Sequence, residues 1–210
     1  MPSTRNTQAA TPESAKRAPG AVGPTAAVAA DTVLAAAYDV LLDVGPGKAT
    51  MAEVARRAGI SRMTLYRRHD QMRTLISEVL TSELAVVMDD AVAAASAEPG
   101  PARIADIATA ATRAIAEHPL MLRLLELDPA TLLPLLVTRR GSTQRAAESI
   151  LADVLACEPG LTLDAAADVV ARTIVTAASA FVFTEALART EGAAEVRWPQ
   201  FHRMIEGYLA

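Results

Sequence analysis

Residues 50–73, TMAEVARRAGISRMTLYRRHDQMR, decide the fold because they encode two short helices joined by a tight turn. Thr50 and Glu53 have the spacing of a capping box, so we expect a helix to begin at Met51. Gly59 is expected to end that helix, since glycine adopts the left-handed backbone conformation most easily. Two short helices joined by a glycine turn are typical of a helix-turn-helix.

The second helix of the pair is predicted over residues 62–69, with Ser61 as its N-cap. Successive residues of a helix are about 100° apart, so a helix that buries Leu65 turns Met63 and Arg67 toward solvent. The residues through which the two helices meet are apolar, as packing requires: Val54, Ala55, Ala58, Ile60 and Leu65.

The exposed face of this helix is suited to DNA. A helix fits the major groove, where arginine binds guanine with two hydrogen bonds and apolar groups contact the thymine methyl. We therefore predict that Met63, Thr64 and Arg67 read bases. The alternative is an ordinary helical hairpin with a solvated charged face. Contacts to phosphate, which fix the register without reading sequence, are predicted for Arg62, Tyr66 and Thr50.

Positive charge is concentrated in this part of the chain. The whole sequence has a formal net charge of −4 and a pI of about 5.4. Residues 46–75 nevertheless carry seven basic and two acidic side chains, a balance of +5. An acidic protein can therefore still offer the local cationic surface that nucleic-acid-binding proteins use.

The rest of the chain is predicted to be helical. Alanine, the strongest helix former, accounts for 46 of the 210 residues, and no alternation of apolar and polar residues is long enough for a sheet. Residues 1–24 lack apolar periodicity and are predicted to be a disordered tail. A three-helix DNA-binding domain over 25–83 and a second helical domain over 84–210 complete an all-α organisation. The further helices are expected at about 25–44, from Asp70 as cap to 97, and at 102–117, 119–127, 129–137, 142–157, 162–190 and 198–209.

The sequence shows neither a catalytic nor a metal-binding arrangement. No serine or cysteine stands in a recognisable nucleophile motif, and the three histidines are too scattered for a zinc site. The single cysteine, Cys157, cannot form an internal disulfide and is expected to be a buried thiol. The apolar runs are shorter than the ~20 residues of a membrane span. We expect a cytoplasmic protein without enzymatic activity, cofactor or membrane association.

From residue 50 onward, TMAEVARRAGISRMTLYRRHDQMRTLISEVL resembles the N-terminal signature of the tetracycline-repressor (TetR) family of bacterial transcription regulators. The resemblance covers about residues 30–84, and EHPLMLRLLELDP further on is similar to the ligand-binding part of such regulators. It implies an all-α homodimer that binds a double-stranded DNA operator, usually as a repressor. It also implies release of the operator when a small molecule binds the C-terminal domain.

Two positions differ from the family pattern. Relatives usually carry phenylalanine where this chain has His69, and a phosphate-binding lysine where it has Met72. Arg73 is a candidate to replace that lysine. His69 lies about 40° from Leu65 on the helix, which favours an imidazole at the core edge with its polar side toward solvent or a backbone carbonyl. The other interpretation is a phosphate contact that strengthens on protonation.

The C-terminal half suggests both an interface and a pocket. The small residues of TIVTAASAF permit close helix approach, so the last two helices are the predicted dimer interface. Phe181 and Phe183 either belong to that interface or line a pocket. An apolar pocket with few polar anchors would favour a hydrophobic effector. The predicted interface residues are Ala177, Ala180, Phe181, Phe183, Trp198 and Phe201, and the predicted pocket residues are Met88, Met121, Leu122, Leu125, Leu132 and Leu133.

Overall fold

The computed structural model describes residues 24–96, 98–127, 141–190, 192 and 194–210, and every regular element within them is an α-helix. The predicted all-α fold is confirmed for these residues. The helices are α1 (Pro24–Val44), α2 (Met51–Arg57), α3 (Arg62–Arg68), α4 (Met72–Ala94), α5 (Pro101–Glu117), α6 (Pro119–Leu127), α7 (Ser142–Cys157), α8 (Ala167–Thr190) and α9 (Ala194–Leu209).

Some predictions fall on other parts of the chain. The expected tail up to residue 23 and the helix expected at 129–137 lie outside the described residues. The same is true of Leu132 and Leu133, two of the predicted pocket residues.

Helix α8 begins at Ala167, five residues later than predicted. Leu161 and Leu163 precede it in a segment without helical structure, and both pack against the C-terminal hydrophobic core. Residues two apart point to the same side of an extended chain but not of a helix. Packing of both leucines against the core therefore favours a non-helical segment before α8.

Helix α9 begins at Ala194, four residues earlier than predicted, although Pro199 lies inside it. Proline cannot donate the backbone hydrogen bond of a helix interior, which is why the sequence suggested a later start. The Trp198 side chain is buried against Ala116 and Val182. This tertiary contact stabilises the first turn despite the proline.

Two smaller predictions are wrong. The N-cap of α4 is Gln71, not Asp70, whose carboxylate instead accepts a hydrogen bond from the Thr74 hydroxyl at 3.3 Å. Cys157 is exposed rather than buried, because it ends α7 on the side away from the core.

The first hydrophobic core, here called the N-terminal core, lies among α1 to α4 and α6. Leu65 is the buried residue of α3, and Leu75 and Val79 come from the first half of α4. Leu120 and Leu124 of α6 complete the core, although they lie far along the sequence. A helix of the second half of the chain is thus packed into the helix-turn-helix unit.

The second core, here called the C-terminal core, lies among the second half of α4, α5, α7, α8 and α9. Leu84 and Met88 of α4 belong to it, so α4 runs without a break through both cores. Its fully or almost fully buried large side chains include Ile104, Ile107, Ile174, Phe201 and Ile205.

A buried ion pair joins the end of α7 to the start of α5. The Glu158 side chain is 1% exposed, and its Oε2 accepts a hydrogen bond from Arg103 Nη1 at 2.5 Å. Its Oε1 accepts the backbone N–H of Gly100 at 2.8 Å. Gly100 immediately precedes α5, so the same carboxylate serves one of the amides at a helix N-terminus.

We predict that Glu158→Gln lowers the free energy of unfolding by about 3 kcal/mol, because it leaves the Arg103 guanidinium without its buried counter-charge. Denaturant unfolding followed by circular dichroism measures this change. The control is Glu126→Gln, which removes an exposed carboxylate. The Glu126 side chain is 67% exposed and lies 3.3 Å from Arg123. This substitution should lower the free energy of unfolding by under about 1 kcal/mol. Equal losses in the two variants would contradict a structural role for the buried pair.

Candidate nucleic-acid interface and cavity

Local hydrogen bonds define the helix-turn-helix. The Thr50 Oγ1 accepts the Glu53 N–H at 3.3 Å at the start of α2, and the Ser61 Oγ accepts the Thr64 N–H at 3.1 Å at the start of α3. Between them Gly59 has φ of 66°, a conformation that favours glycine. The predicted caps and turn are therefore confirmed. The ends of both helices are fixed by residues close to them in sequence.

The capping box is only half formed. The Glu53 carboxylate does not return to the start of α2, but accepts hydrogen bonds from Arg56 at 2.8 and 2.6 Å and from Arg57 at 3.0 Å. Arg57 also pairs with Asp43 at 2.7 Å. These contacts hold the pKa of Glu53 down at about 2, with the hydrogen bond from Arg56 as the largest cause and that from Arg57 second.

Helix α3 turns a cationic and apolar face to solvent. Met63 is 78% exposed, and Arg62, Tyr66 and Arg67 are exposed beside it. Leu65 on the opposite side is fully buried. The orientation predicted from helix geometry is therefore the one in the structure.

The charge of this face is not neutralised by neighbouring carboxylates. Among the residues that the structure describes, no acidic group forms an ion pair with Arg62, Arg67 or Arg68. The arginines of α2, in contrast, are paired with Glu53 and Asp43. The local positive balance of the sequence is thus concentrated on α3.

Thr64 is less available than the other predicted base-reading residues. It is half-buried, and its Oγ1 lies 2.8 Å from Ser61 Oγ, the N-cap of the same helix. A hydroxyl engaged in its own helix cap reaches a base edge only by giving up or sharing that hydrogen bond. Met63 and Arg67 remain the best placed of the three.

His69 lies at the core edge, as one of the two interpretations expects. It is 8% exposed. Its backbone N–H donates a hydrogen bond to Leu65 O at 3.0 Å at the end of α3, and its Nδ1 lies 3.2 Å from Glu78 Oε1. Its polar partner is a carboxylate of α4, not solvent or a backbone carbonyl. Burial of the ring argues against the other interpretation, a contact with phosphate.

The two residues that open α4 have different surroundings. Met72 is half-buried and packs against the N-terminal core, so an apolar side chain occupies the position of the family's lysine. Arg73 is exposed and lies at the edge of a cavity between the two halves of the molecule. Arg73 is therefore exposed for the predicted contact with a DNA phosphate and also belongs to the lining of the cavity.

That cavity has a volume of about 970 Å³. Met88 and Met121 line it, as predicted. Leu122 and Leu125 do not, and Leu125 packs against the N-terminal core instead, because α6 turns that side toward α1. Most of the lining could not be read from the sequence because it comes from five helices, and it includes Leu84, Ile115, Leu151, Ile174 and Val182. Phe183 also lines the cavity, in agreement with one of its two interpretations.

The aromatic residues of the predicted dimer interface lie inside one protomer, which corrects that prediction. Phe201 is fully buried in the C-terminal core, and Trp198 is buried in a small cluster beside it. Phe181 packs against Phe201 with ring centroids 4.5 Å apart, and the Arg197 guanidinium carbon lies over the Phe181 ring, 4.7 Å from its centroid. Phe183 lines the cavity. These rings are covered because α9 folds back onto α5 and α8.

The two alanines of that prediction have different surroundings. Ala177 packs against the C-terminal core and Ala180 is exposed. Of the six predicted interface residues, Ala180 is therefore the one that is exposed.

The outer sides of α8 and α9 remain partly apolar. Val169 on α8 and Val196, Met204 and Tyr208 on α9 are exposed. The stretch 167–185 is long and apolar enough to cross a membrane by length and composition, with a mean hydropathy of 1.4, and 22% of it is buried. An apolar helix so little covered within one protomer is suited to contact another surface.

The chain resembles known regulators in sequence at its N-terminal end. Residues 33–79 match a family model described as bacterial regulatory proteins, tetR family. An HTH-type transcriptional regulator of Mycobacterium bovis is 45% identical over 56 residues, which are 27% of this chain and 30% of that protein. The aligned part of the chain thus spans less than a third of the length of this curated relative.

Similarity to solved structures extends over both halves. The R. erythropolis transcriptional repressor QsdR of the TetR family has a TM-score of 0.69 at 21% identity, covering 85% of this chain and 95% of that one. TylP, a TetR regulator from Streptomyces fradiae, has a TM-score of 0.56 at 24% identity, covering 88% of each chain. At these identities the likeness establishes the fold.

The Glu53 cluster leads to a pH-dependent prediction. We expect the Glu53 carboxyl to titrate near 2 in an NMR titration, because it accepts hydrogen bonds from both arginines. Its folded pKa lies below the unfolded value of about 4.3, so its contribution to stability is present above that value and is lost as pH falls toward 2. Arg56→Gln should raise the pKa more than Arg57→Gln. A midpoint near 4.3 in the unsubstituted chain would show that the cluster does not form in solution.

Proposed function

We propose that this chain, whose residues 33–79 match the model of the tetR family of bacterial regulatory proteins, is a homodimeric repressor released from a palindromic DNA operator by a small hydrophobic ligand. The family consists of transcriptional regulators, not enzymes. The observation that carries the proposal is the unneutralised cationic face of α3, presented by a correctly capped helix-turn-helix. The site of action is the cytoplasm, where the DNA is.

Recognition of the operator is assigned to α3. Met63 and Arg67, at the centre of its exposed face, contact base edges in the major groove. Arg62, Tyr66 and the N-terminus of α2 at Thr50 contact phosphates and fix the register. Pairing of the α2 arginines with Glu53 supports this division, since those charges are already engaged within the protein.

The dimer is proposed to form through the outer sides of α8 and α9. Thr173 and Thr176 of α8 donate their hydroxyls to carbonyls one turn back, at 3.0 and 2.8 Å, so their methyl groups are left for contact. With Val169 and Ala180 they form a stripe of small and apolar exposed side chains. Two copies joined there would form a four-helix arrangement and present two α3 helices to successive major grooves, about 34–36 Å apart.

Helix α4 connects the cavity to the DNA-binding helices. Leu84 and Met88 line the cavity, while Leu75 and the contact of Glu78 with His69 lie beside α3 on the same helix. A ligand that displaces the second half of α4 therefore also displaces its first half, because a continuous helix moves as a unit. Release of DNA on ligand binding follows from that shift.

The DNA upstream of the protein's own gene is used here as the operator fragment, called the upstream fragment. We predict that Arg67→Ala weakens binding to it by about 1–3 kcal/mol and relaxes the preference for one base pair per half-site. Fluorescence anisotropy with the operator and with single-base variants measures both quantities. The control is Arg113→Ala, which removes the same charge from the outer side of α5 and should leave operator binding unchanged.

Two results would count against this assignment. An equal loss on operator and random DNA would make Arg67 a phosphate contact. No preference of the unsubstituted chain for the upstream fragment over random DNA at matched salt would instead favour an interaction protein whose basic helix binds an acidic partner.

We predict that Ala180→Arg and Met204→Arg each convert a dimer of twice 22.0 kDa to a monomer, because a buried arginine at the interface would lack a counter-charge. Sedimentation equilibrium measures the mass. The matched control is Ala110→Arg at an exposed position of α5, which should stay dimeric. A dimer that survives both interface substitutions would place the interface elsewhere.

A further inference from the structure

We propose that Arg123 is a positioning residue that holds α6 to the end of α1, and that DNA binding and the cavity wall influence each other through this contact. It is called here the α1–α6 contact. The inference rests on the proposed function, since it adds a second connection between the same two sites beside the one through α4. Helix α1 belongs to the N-terminal core, and Met121 of α6 lines the cavity.

The last turn of α1 has no cation of its own. It contains no basic side chain and one acidic side chain, Asp43. The last carbonyl groups of a helix carry partial negative charge and have no partner within the helix, so a cation is favoured there. Leu41 O accepts the backbone N–H of Gly45 at 3.0 Å. A cation for the carbonyl oxygens that follow therefore has to come from another element.

Arg123 of α6 supplies this cation. Its Nε donates to Leu42 O at 2.9 Å, and its Nη2 donates to Asp43 O at 3.5 Å. Its Nη1 donates to Glu126 Oε2 at 3.3 Å, one turn further along α6. A guanidinium group is planar and holds its donors in fixed directions, so one arginine can bind several acceptors together. The C-terminus of α1 is thus capped by a residue 81 positions later in the sequence.

The same end of α1 is bound to the helix-turn-helix. The Asp43 carboxylate pairs with Arg57 Nη1 of α2 at 2.7 Å, and Arg57 Nε also binds Glu53 at 3.0 Å. Asp43 therefore contacts α6 through its backbone carbonyl and α2 through its side chain. A displacement of α6 that moves the end of α1 is carried to α2 because both contacts meet at one residue.

Packing binds α6 to α1 along the last two turns of α1. His118, which immediately precedes α6, packs edge-on against Tyr38 with ring centroids 6.1 Å apart. Leu120 and Leu124 of α6 are buried in the N-terminal core. Met121 lines the cavity instead. A ligand that moves Met121 therefore moves a helix that is already attached to α1.

The chain contains a natural reporter of α6. Trp198, its single tryptophan, is 4% exposed and forms a small cluster with Ala116 and Val182. Met121 packs against this cluster. Indole emission depends on the surroundings of the ring, so a shift of α6 changes the fluorescence of Trp198 without an added label.

The first experiment measures Trp198 emission of the full chain at saturating upstream fragment and at saturating random DNA of the same length. Coupling between two sites is reciprocal, so the operator should change the emission. Arg123→Met keeps the aliphatic stem but removes the donors, and should reduce this change to less than half. Arg123→Lys keeps a cation near the carbonyl oxygens and should restore most of it. The matched control is Glu126→Gln, which removes the ion pair of Arg123 within α6, leaves the α1–α6 contact in place and should keep the full change.

The second experiment needs no DNA. Hydrogen exchange of the free chain is compared for the backbone amides of residues 41–49. Arg123→Met should speed their exchange about threefold or more, because the end of α1 loses its cation and two hydrogen bonds. Glu126→Gln should leave the exchange of these amides unchanged.

The outcomes separate this inference from the proposed function. An unchanged exchange rate in Arg123→Met, a full emission change in that variant, or the same losses in Glu126→Gln overturns the inference. So does a chain that does not fold without Arg123, since the residue would then serve stability in general, or an emission that ignores a bound operator. A chain without operator binding overturns the proposed function, and the exchange measurement still decides whether Arg123 holds α6 to α1.

Discussion

The structure depends on the burial of a single helix, α4, in two hydrophobic cores. Leu75 and Val79 hold its first half against α1, α2 and α3, and Leu84, Met88 and Ala91 hold its second half against α5 and α7. A helix of 23 residues is stiff because each turn is bonded to the next. Neither core can therefore shift along the axis of α4 without the other. The residues of α4 that line the cavity and those that pack beside α3 belong to the same helix.

The charged residues form groups that differ in whether they are paired within the protein or face solvent. Glu53 and Asp43 pair with the arginines of α2, while those of α3 face solvent and form no ion pair with a carboxylate of the described residues. The ion pair between Glu158 and Arg103 serves stability, since it is buried and also accepts a helix amide. Arg73, exposed at the edge of the cavity, belongs to neither group. Position and burial, not the number of charges, distinguish these roles.

The sequence was the strongest guide where the determinants are local. The helix-turn-helix is predicted by residues within a stretch of 16. Thr50 and Ser61 form its caps and Gly59 its turn, and the angle between Leu65 and Met63 gives its exposed face. The sequence was the weakest guide in the C-terminal half. There Phe201 and Trp198 were predicted at an interface but are buried within one protomer, because an apolar helix face shows that something covers it without showing which helix does.

The sequence alone determined an all-α chain with a cationic recognition helix, since helix propensity, capping and periodicity act over a few residues. Only the tertiary structure decided that His69 faces Glu78, that α6 packs into the N-terminal core, and that Arg73 stands at the mouth of a cavity. Each of these depends on contacts between residues from 9 to more than 40 positions apart. Packing between residues distant in sequence decides which face of a helix is buried and against what, because the local sequence does not distinguish between the alternatives.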